Sequence, residues 1–148
     1  MRVIAVSGTP GTGKTRYSKE LCKKKGFLYI DVNKVIEKYK ISEGYDKKRK
    51  TKIIDVNKLN EKLIEIICKE KEKKRKGIVI DSHMSHFLPK RYVSLCVITK
   101  CSLSELKERL EKRGYSKSKV RENLDAEIFD ICRIEALESG HKVSIVYT

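Results

Sequence analysis

The run Gly8-Thr9-Pro10-Gly11-Thr12-Gly13-Lys14-Thr15 constrains this chain more than any other feature. Glycine, four residues, then Gly-Lys-Thr describes a loop whose glycines free the backbone to wrap an anion. The loop follows the apolar run Val3-Ile4-Ala5-Val6, which reads as a buried parallel strand over Arg2 to Ser7. A helix from Lys14 to about Lys25 should follow, with Gly26 as its stop. Successive loop amides and the N-terminal end of that helix then aim positive dipole at one point. In such a setting Lys14 reaches the β- and γ-phosphates of a nucleoside triphosphate, and the Thr15 hydroxyl binds Mg²⁺. Gly11, Gly13 and Arg16 complete the candidate ATP contacts.

The rest of the chain alternates strand and helix patterns. Further strands are expected at Phe27 to Asp31, Ile78 to Asp81, Tyr92 to Ile98 and Lys142 to Tyr147. Helices are expected at Val32 to Tyr39, at Asp55 to about Lys76, and from Ser102 to about Arg113, where Ser102 and Glu105 fit a capping box. Val120, Leu124, Ile128, Ile131 and Cys132 mark one more helix, closed near Gly140. The segment from Lys40 to Lys52 is polar, Gly-containing and charged. This alternation predicts an α/β fold with an open, mostly parallel sheet covered on both faces, in a single domain spanning 1–148. Strand order does not follow from it.

Composition sets the outer limits. With 148 residues, 35 Lys+Arg and 20 Asp+Glu, the chain carries a formal charge of +15. Basic runs at Lys23 to Lys25, Lys47 to Lys50 and Lys69 to Lys76 read either as solvated faces or as attraction for acidic ligands, nucleotides and RNA included. No apolar run approaches the ~18 residues of a membrane span, so no membrane contact is expected. The five scattered cysteines, with no Cys-x-x-Cys pair, fit small buried hydrophobes in a reducing cytoplasm.

A second group of residues extends the candidate site. Asp81 closes an apolar strand, where a carboxylate can hold Mg²⁺ through water. His83, two residues on, can orient water or phosphate. His86 lies three further along, but no converging ligands complete a metal pair, and it reads as structural; His141 reads as exposed. Arg91, Arg109 and Arg113 offer fixed guanidinium groups for charge spread over phosphoryl oxygens. Arg113, leading into Gly114-Tyr115, marks the start of a lid.

Taken together, Gly8 to Thr15, Gly44-Tyr45-Asp46, Asp81-Ser82-His83, Phe87-Leu88-Pro89-Lys90-Arg91, Arg113-Gly114-Tyr115 and Glu122-Asn123 resemble the adenylate kinase-like ATPases. These are the eukaryotic nuclear adenylate kinase isoenzyme of small-subunit maturation and its archaeal counterparts. The resemblance runs from Met1 to about Ser139. It implies a P-loop NTPase of adenylate kinase-like fold, a five-stranded parallel sheet in the order 2-3-1-4-5. It also implies a monophosphate-binding segment over 31–54, with Asp31 and Tyr45 as contacts, and a lid over 112–122. The implied activity is broad nucleoside monophosphate kinase chemistry (ATP and AMP to two ADP) together with ATPase activity, with Mg²⁺ held by Thr15 and Asp81. Lys14, Asp81, His83 and Arg91 would be the catalytic set, Arg91 bridging acceptor and donor phosphates and Arg113 clamping from the lid.

The implied cellular role is late maturation of the small ribosomal subunit through a platform ribosomal protein, with weaker RNA contact. An ATP-driven assembly switch with little kinase activity is the alternative. Since such a ribosomal protein is basic, Glu61, Glu65, Glu122, Asp125 and Glu127 are the acidic candidates for meeting it. The chain departs from the family pattern in two places. Glu37 stands where other members can carry an arginine, and Thr148 directly follows the fifth strand, where relatives continue into a loop bordering adenine.

Overall fold

Strand β1 (Arg2–Ser7) is the centre of the molecule, and both of its faces are buried. Side chains alternate across it. Val3 packs with Ile78, Ile80, Leu59, Leu63 and Ile67 on one side, while Ile4 and Val6 pack with Val79, Val97 and Cys22 on the other. A strand apolar on both faces requires helices on both faces, and the computed structural model, which describes residues 1–48 and 51–148, has them. On one side lie α2 (Val32–Lys38), α3 (Val56–Glu72) and α6 (Ile131–Glu138); on the other lies α1 (Lys14–Lys25).

The sheet adds β2 (Leu28–Asp31), β5 (Gly77–Asp81), β6 (Leu95–Lys100) and β7 (Val143–Tyr147) around β1, in the order β2-β5-β1-β6-β7. Every pairing in it is parallel. Counting these five strands alone, the order is 2-3-1-4-5, as the family resemblance implied. The carboxyl ends of β1 and β5 therefore lie side by side, with Val6 paired to Asp81. In an open α/β sheet that is where a ligand crevice forms.

Several expectations need correction. The polar segment after Lys40, to which the sequence pattern assigns no element, is structured. It folds into an antiparallel hairpin, β3 (Ser42–Asp46) and β4 (Thr51–Ile54). Of the basic run at Lys47 to Lys50, Arg49 and Lys50 lie outside the described residues. Strand β6 begins at Leu95 rather than Tyr92, because Lys90–Tyr92 form a 3-10 turn after Pro89, closed by the Val93 amide on the Lys90 carbonyl. Helix α3 stops at Glu72 rather than Lys76. Lys74 takes a left-handed conformation (φ 58°), and Arg75 turns back to bond Glu70 at 2.6 Å.

The single helix expected from Val120 to Cys132 is two helices. α5 (Lys117–Ile128) ends and α6 begins at Asp130, whose φ of 56° breaks the spiral. Asp tolerates that conformation better than most residues, and here its carboxylate is held by Lys100 and Arg133. His141 is buried rather than exposed, its Nε2 2.8 Å from the carbonyl oxygen of His86.

Helix α4 (Leu103–Lys112) begins as its sequence predicts, with the Ser102 hydroxyl accepting from the Glu105 amide. Glu105 does not complete the box; its carboxylate pairs with Arg109. The apolar face of α4 carries the phosphate loop. A Cβ placed on Gly11 (φ 94°) would stand 2.9 Å from Leu106 Cδ1 and 3.1 Å from Leu110 Cδ2, so glycine is required both for conformation and for space. Leu110 is fully buried there. Leu110→Ala should leave a cavity beneath the loop and lower stability by about 2–5 kcal/mol, read from denaturant unfolding of the two proteins.

Candidate active site at the phosphate loop

The loop from Gly8 to Gly13 is closed on itself by hydrogen bonds. The Thr12 hydroxyl donates to the Thr9 carbonyl at 2.7 Å and meets the Thr99 hydroxyl at 2.7 Å; Thr99 in turn donates to the Ser7 carbonyl. The backbone at Gly8 (φ 145°) passes so close to β6 that an added Cβ would lie 2.6 Å from the Thr99 carbonyl oxygen. Gly13 caps α1 without a side chain, which leaves the first amides of that helix facing the crevice.

Lys14 is not the surface cation that its role suggests. It is half-buried, folded back over the loop, and its ammonium donates to the carbonyls of Gly8 (2.9 Å) and Thr9 (3.1 Å). Burial pushes its pKa down to about 8; Cys132, Asp81 and Glu127 act in the opposite sense, and the Arg113 cation adds to the depression. Arg113, at the end of α4, therefore stands within electrostatic reach of the same ammonium.

The structure brings Thr15 and Asp81 together. Thr15 Oγ1 donates to Asp81 Oδ2 at 2.8 Å, and the Tyr29 hydroxyl donates to the same oxygen at 2.7 Å. A hydroxyl and a carboxylate are hard oxygen ligands of the kind Mg²⁺ takes, with phosphates and water filling its other positions. Among the described residues no group of three or more His, Cys, Asp and Glu could hold a metal ion, so such a site depends on the nucleotide for completion. Tyr29 escaped the sequence reading. Only the pairing of β2 with β5, which sets Asp31 beside Asp81, shows that its hydroxyl reaches that carboxylate.

His83 stands at the mouth of the crevice. Desolvation, the Lys14 cation and His86 push its pKa down to about 4, so the ring is neutral at physiological pH and can accept a hydrogen bond from water. His86 is a buried strut, as expected. One ring nitrogen meets the Ser7 hydroxyl at 2.7 Å and the other Glu135 at 3.2 Å. Burial, and then His141, push it to about 4 as well, and burial pushes Glu135 up. The His86–Glu135 contact is thus a hydrogen bond made by a neutral ring rather than an ion pair.

The other predicted residues divide. Arg109, grouped with Arg113 from its helical spacing, lies directly on the loop: it donates to the Gly11 carbonyl (3.3 Å) and to Thr148 Oγ1 (3.0 Å), while Thr148 donates to Thr12. Arg16 is exposed on α1 and paired with Glu20. Asp31 caps α2 through the Asn33 amide, at the same sheet end as Asp81. Tyr45 is exposed on the hairpin. Arg91 stands apart: it lies three residues before Ser94, whose amide bonds Val3 near the far end of β1, and its guanidinium sits 4.9 Å over Tyr92.

A profile for an AAA domain matches residues 4–130. A "putative adenylate kinase" of Methanocaldococcus jannaschii is 43% identical over 133 residues, covering 90% of this chain and 71% of that protein. The adenylate kinase isoenzyme 6 homolog of Caenorhabditis elegans is 33% identical over 136 residues, 92% of this chain and 72% of that one. Among solved structures, shikimate kinase from Acinetobacter baumannii matches with a TM-score of 0.63 at 13% identity, covering 100% of this chain and 85% of that one. Deoxyadenosine kinase from M. mycoides gives 0.52 at 18% identity, covering 99% and 90%. These two share the fold.

The buried His86 has a consequence in acid. Its ring is neutral when folded but takes up a proton near pH 6.5 when unfolded, so its contribution to folded stability is complete above that value. Stability should fall steadily as pH drops from about 6.5 towards about 4. Imidazole NMR titration should place the His86 midpoint near 4, and denaturant midpoints should follow the same window.

Proposed function

The chain belongs to the adenylate kinase-like family and is by that membership a nucleotide kinase; from this premise we propose that it moves the γ-phosphoryl group of Mg²⁺-ATP to a nucleoside monophosphate, AMP foremost. One observation carries the reading: Thr15 and Asp81 meet at 2.8 Å beside a loop whose lysine is poised over its own carbonyls. On ATP binding, Lys14 exchanges the carbonyls of Gly8 and Thr9 for phosphate oxygens, which favour its charged form. Thr15 and Asp81 would hold Mg²⁺, which would supply charge neutralisation at the phosphates. The acceptor is already an oxyanion, so positioning rather than a general base supplies the rate. Arg113 is the clamp that the geometry supports. The phosphate-bridging role expected of Arg91 finds no support in its position beside Tyr92.

We also propose hydrolysis of ATP without an acceptor, using water oriented by neutral His83. A cytoplasmic role in late maturation of the small ribosomal subunit, through a platform ribosomal protein, is the further proposal. The acidic residues named for that contact do not support it well. Glu127 is buried, Glu65 pairs with Lys62, and Asp125 pairs with Arg121. The exposed apolar side chains Ile128, Phe129, Ile131, Ile134 and Leu137, around the α5–α6 turn, support it better. An apolar contact also avoids opposing two basic surfaces.

Labelled ATP, supplied with and without each monophosphate, tests the chemistry. Lys14→Ala should lower both transfer and hydrolysis by at least about a hundredfold, on the scale of losing one charge-stabilising donor. His83→Ala should reduce acceptor-free hydrolysis more than transfer to AMP; equal losses would place His83 in shared ATP binding. Phosphate release that AMP leaves unchanged would favour an ATP-driven switch over a kinase.

The partner is tested separately, by pull-down from cytosol at about 0.3 M salt, where the Debye length is well under 10 Å. One platform ribosomal protein should remain bound, in a manner that differs between ATP and ADP, while RNA contact weakens steeply. Recovery of RNA alone would refute this part.

A further inference from the structure

A buried charge cluster lies behind the phosphate loop, outside the groups assigned to the reaction. Lys100, the last residue of β6, is 16% exposed in its side chain and places Nζ 3.0 Å from Glu127 Oε1 and 2.9 Å from Asp130 Oδ1. Glu127, in the last turn of α5, is 7% exposed. Its Oε1 also accepts from the Thr9 hydroxyl at 3.4 Å, and its Oε2 accepts from the Cys101 amide at 3.4 Å. Asp130 has a second cation in Arg133. Glu127 instead has its second contact on the loop itself.

Thr9 is a sensitive place to hold. It is buried, and its carbonyl accepts from the Thr12 amide, the Thr12 hydroxyl and Lys14 Nζ. A buried ion pair adds little net stability over a well-packed apolar pair, so the cluster is poorly explained as a device for stability alone. We propose that Glu127 is a positioning residue for ATP: from the end of α5 it holds Thr9, and through Thr9 the phosphate loop, in register with the end of β6. The inference rests on the reading of the loop as an ATP site. It links that site to the helix that begins just beyond Arg113, because a shift of α5 moves the carboxylate that grips the loop.

The test compares wild type, Glu127→Gln, and a Lys100→Met/Glu127→Leu double variant that replaces the pair by apolar groups. Calorimetric titration with ATP should show affinity about tenfold weaker in both variants, within the range of coupling between contacting residues. Lys100 keeps Asp130 in the Gln variant, and the double variant buries no unpaired charge, so both retain the fold. KM for ATP should rise about tenfold in Glu127→Gln while kcat changes little, because the carboxylate shapes the loop and does not touch the reacting atoms. A purely structural role would lower the thermal midpoint and leave KM in place. Equal ATP affinity and equal KM in all three proteins would overturn the inference alone. Wild type that binds no ATP would overturn the nucleotide site and the inference with it.

Discussion

The Thr9 carbonyl accepts three donors, the Thr12 amide at 3.2 Å, the Thr12 hydroxyl at 2.7 Å and Lys14 Nζ at 3.1 Å. With its oxygen turned inward, the loop curls and its amides face outward, which is the arrangement an anion requires. The neighbouring elements act on this curl. β6 supports it through Thr99, α4 packs Leu106 and Leu110 under Gly11, and Arg109 and Thr148 hold the carbonyls of Gly11 and Thr12. Both Lys14 contacts, to the carbonyls of Gly8 and Thr9, would change on phosphate binding, because the ammonium cannot serve its own carbonyls and a triphosphate equally well. The loop therefore holds its lysine in waiting rather than in solvent.

Electrostatics at this end of the sheet follow from burial more than from the net charge. Lys14 is depressed chiefly by desolvation, and His83 for the same reason with Lys14 as a second cause. Opposing charges are supplied locally, by Asp81 in front and by Glu127 behind. A neutral His83 beside the Lys14 ammonium forms a site that gains from an incoming anion. The Asp81 carboxylate is kept in one orientation by two hydroxyl donors on the same oxygen. Its other oxygen is thereby directed away from them.

Sequence legibility followed the range of the interactions. The loop, its flanking strand and helix, and the capping Ser102 are local, and residue spacing alone placed them. The β-hairpin after Lys40 was missed because its strands lack the apolar alternation that marks a buried face; Ser42–Asp46 is largely exposed. The break at Asp130 was missed because the apolar spacing continues across it, and its cause is a lysine 30 residues away. Tyr29 and Glu127 act across strand and helix contacts that only strand order reveals. His141 was misread for a similar reason: its partner is a backbone carbonyl 55 residues away. Arg91, named for its charge and its motif, lies on the 3-10 turn before β6 with its guanidinium over Tyr92, a contact between sequence neighbours that spacing does not reveal.

The +15 charge can be divided between fold and ligand by asking where the lysines sit. Lys23, Lys24 and Lys25 occupy the last turn of α1, and Lys69 and Lys71 the last turn of α3. Cations there stabilise the negative end of the helix dipole, by roughly 0.3–1 kcal/mol each at exposed positions. Both turns lead into the starts of strands β2 and β5, at the sheet end away from the phosphate loop. Their charge thus has a local structural cause, and it is poorly placed to steer a nucleotide into the crevice. Attraction at the site falls instead to Lys14, Arg113 and the amides of α1, and of these only Arg113 lies on a segment continuous with α5. Helix α5 begins just beyond Arg113, and its last turn sets Glu127 on Thr9, so the segment beside that guanidinium and the phosphate loop are joined through one helix.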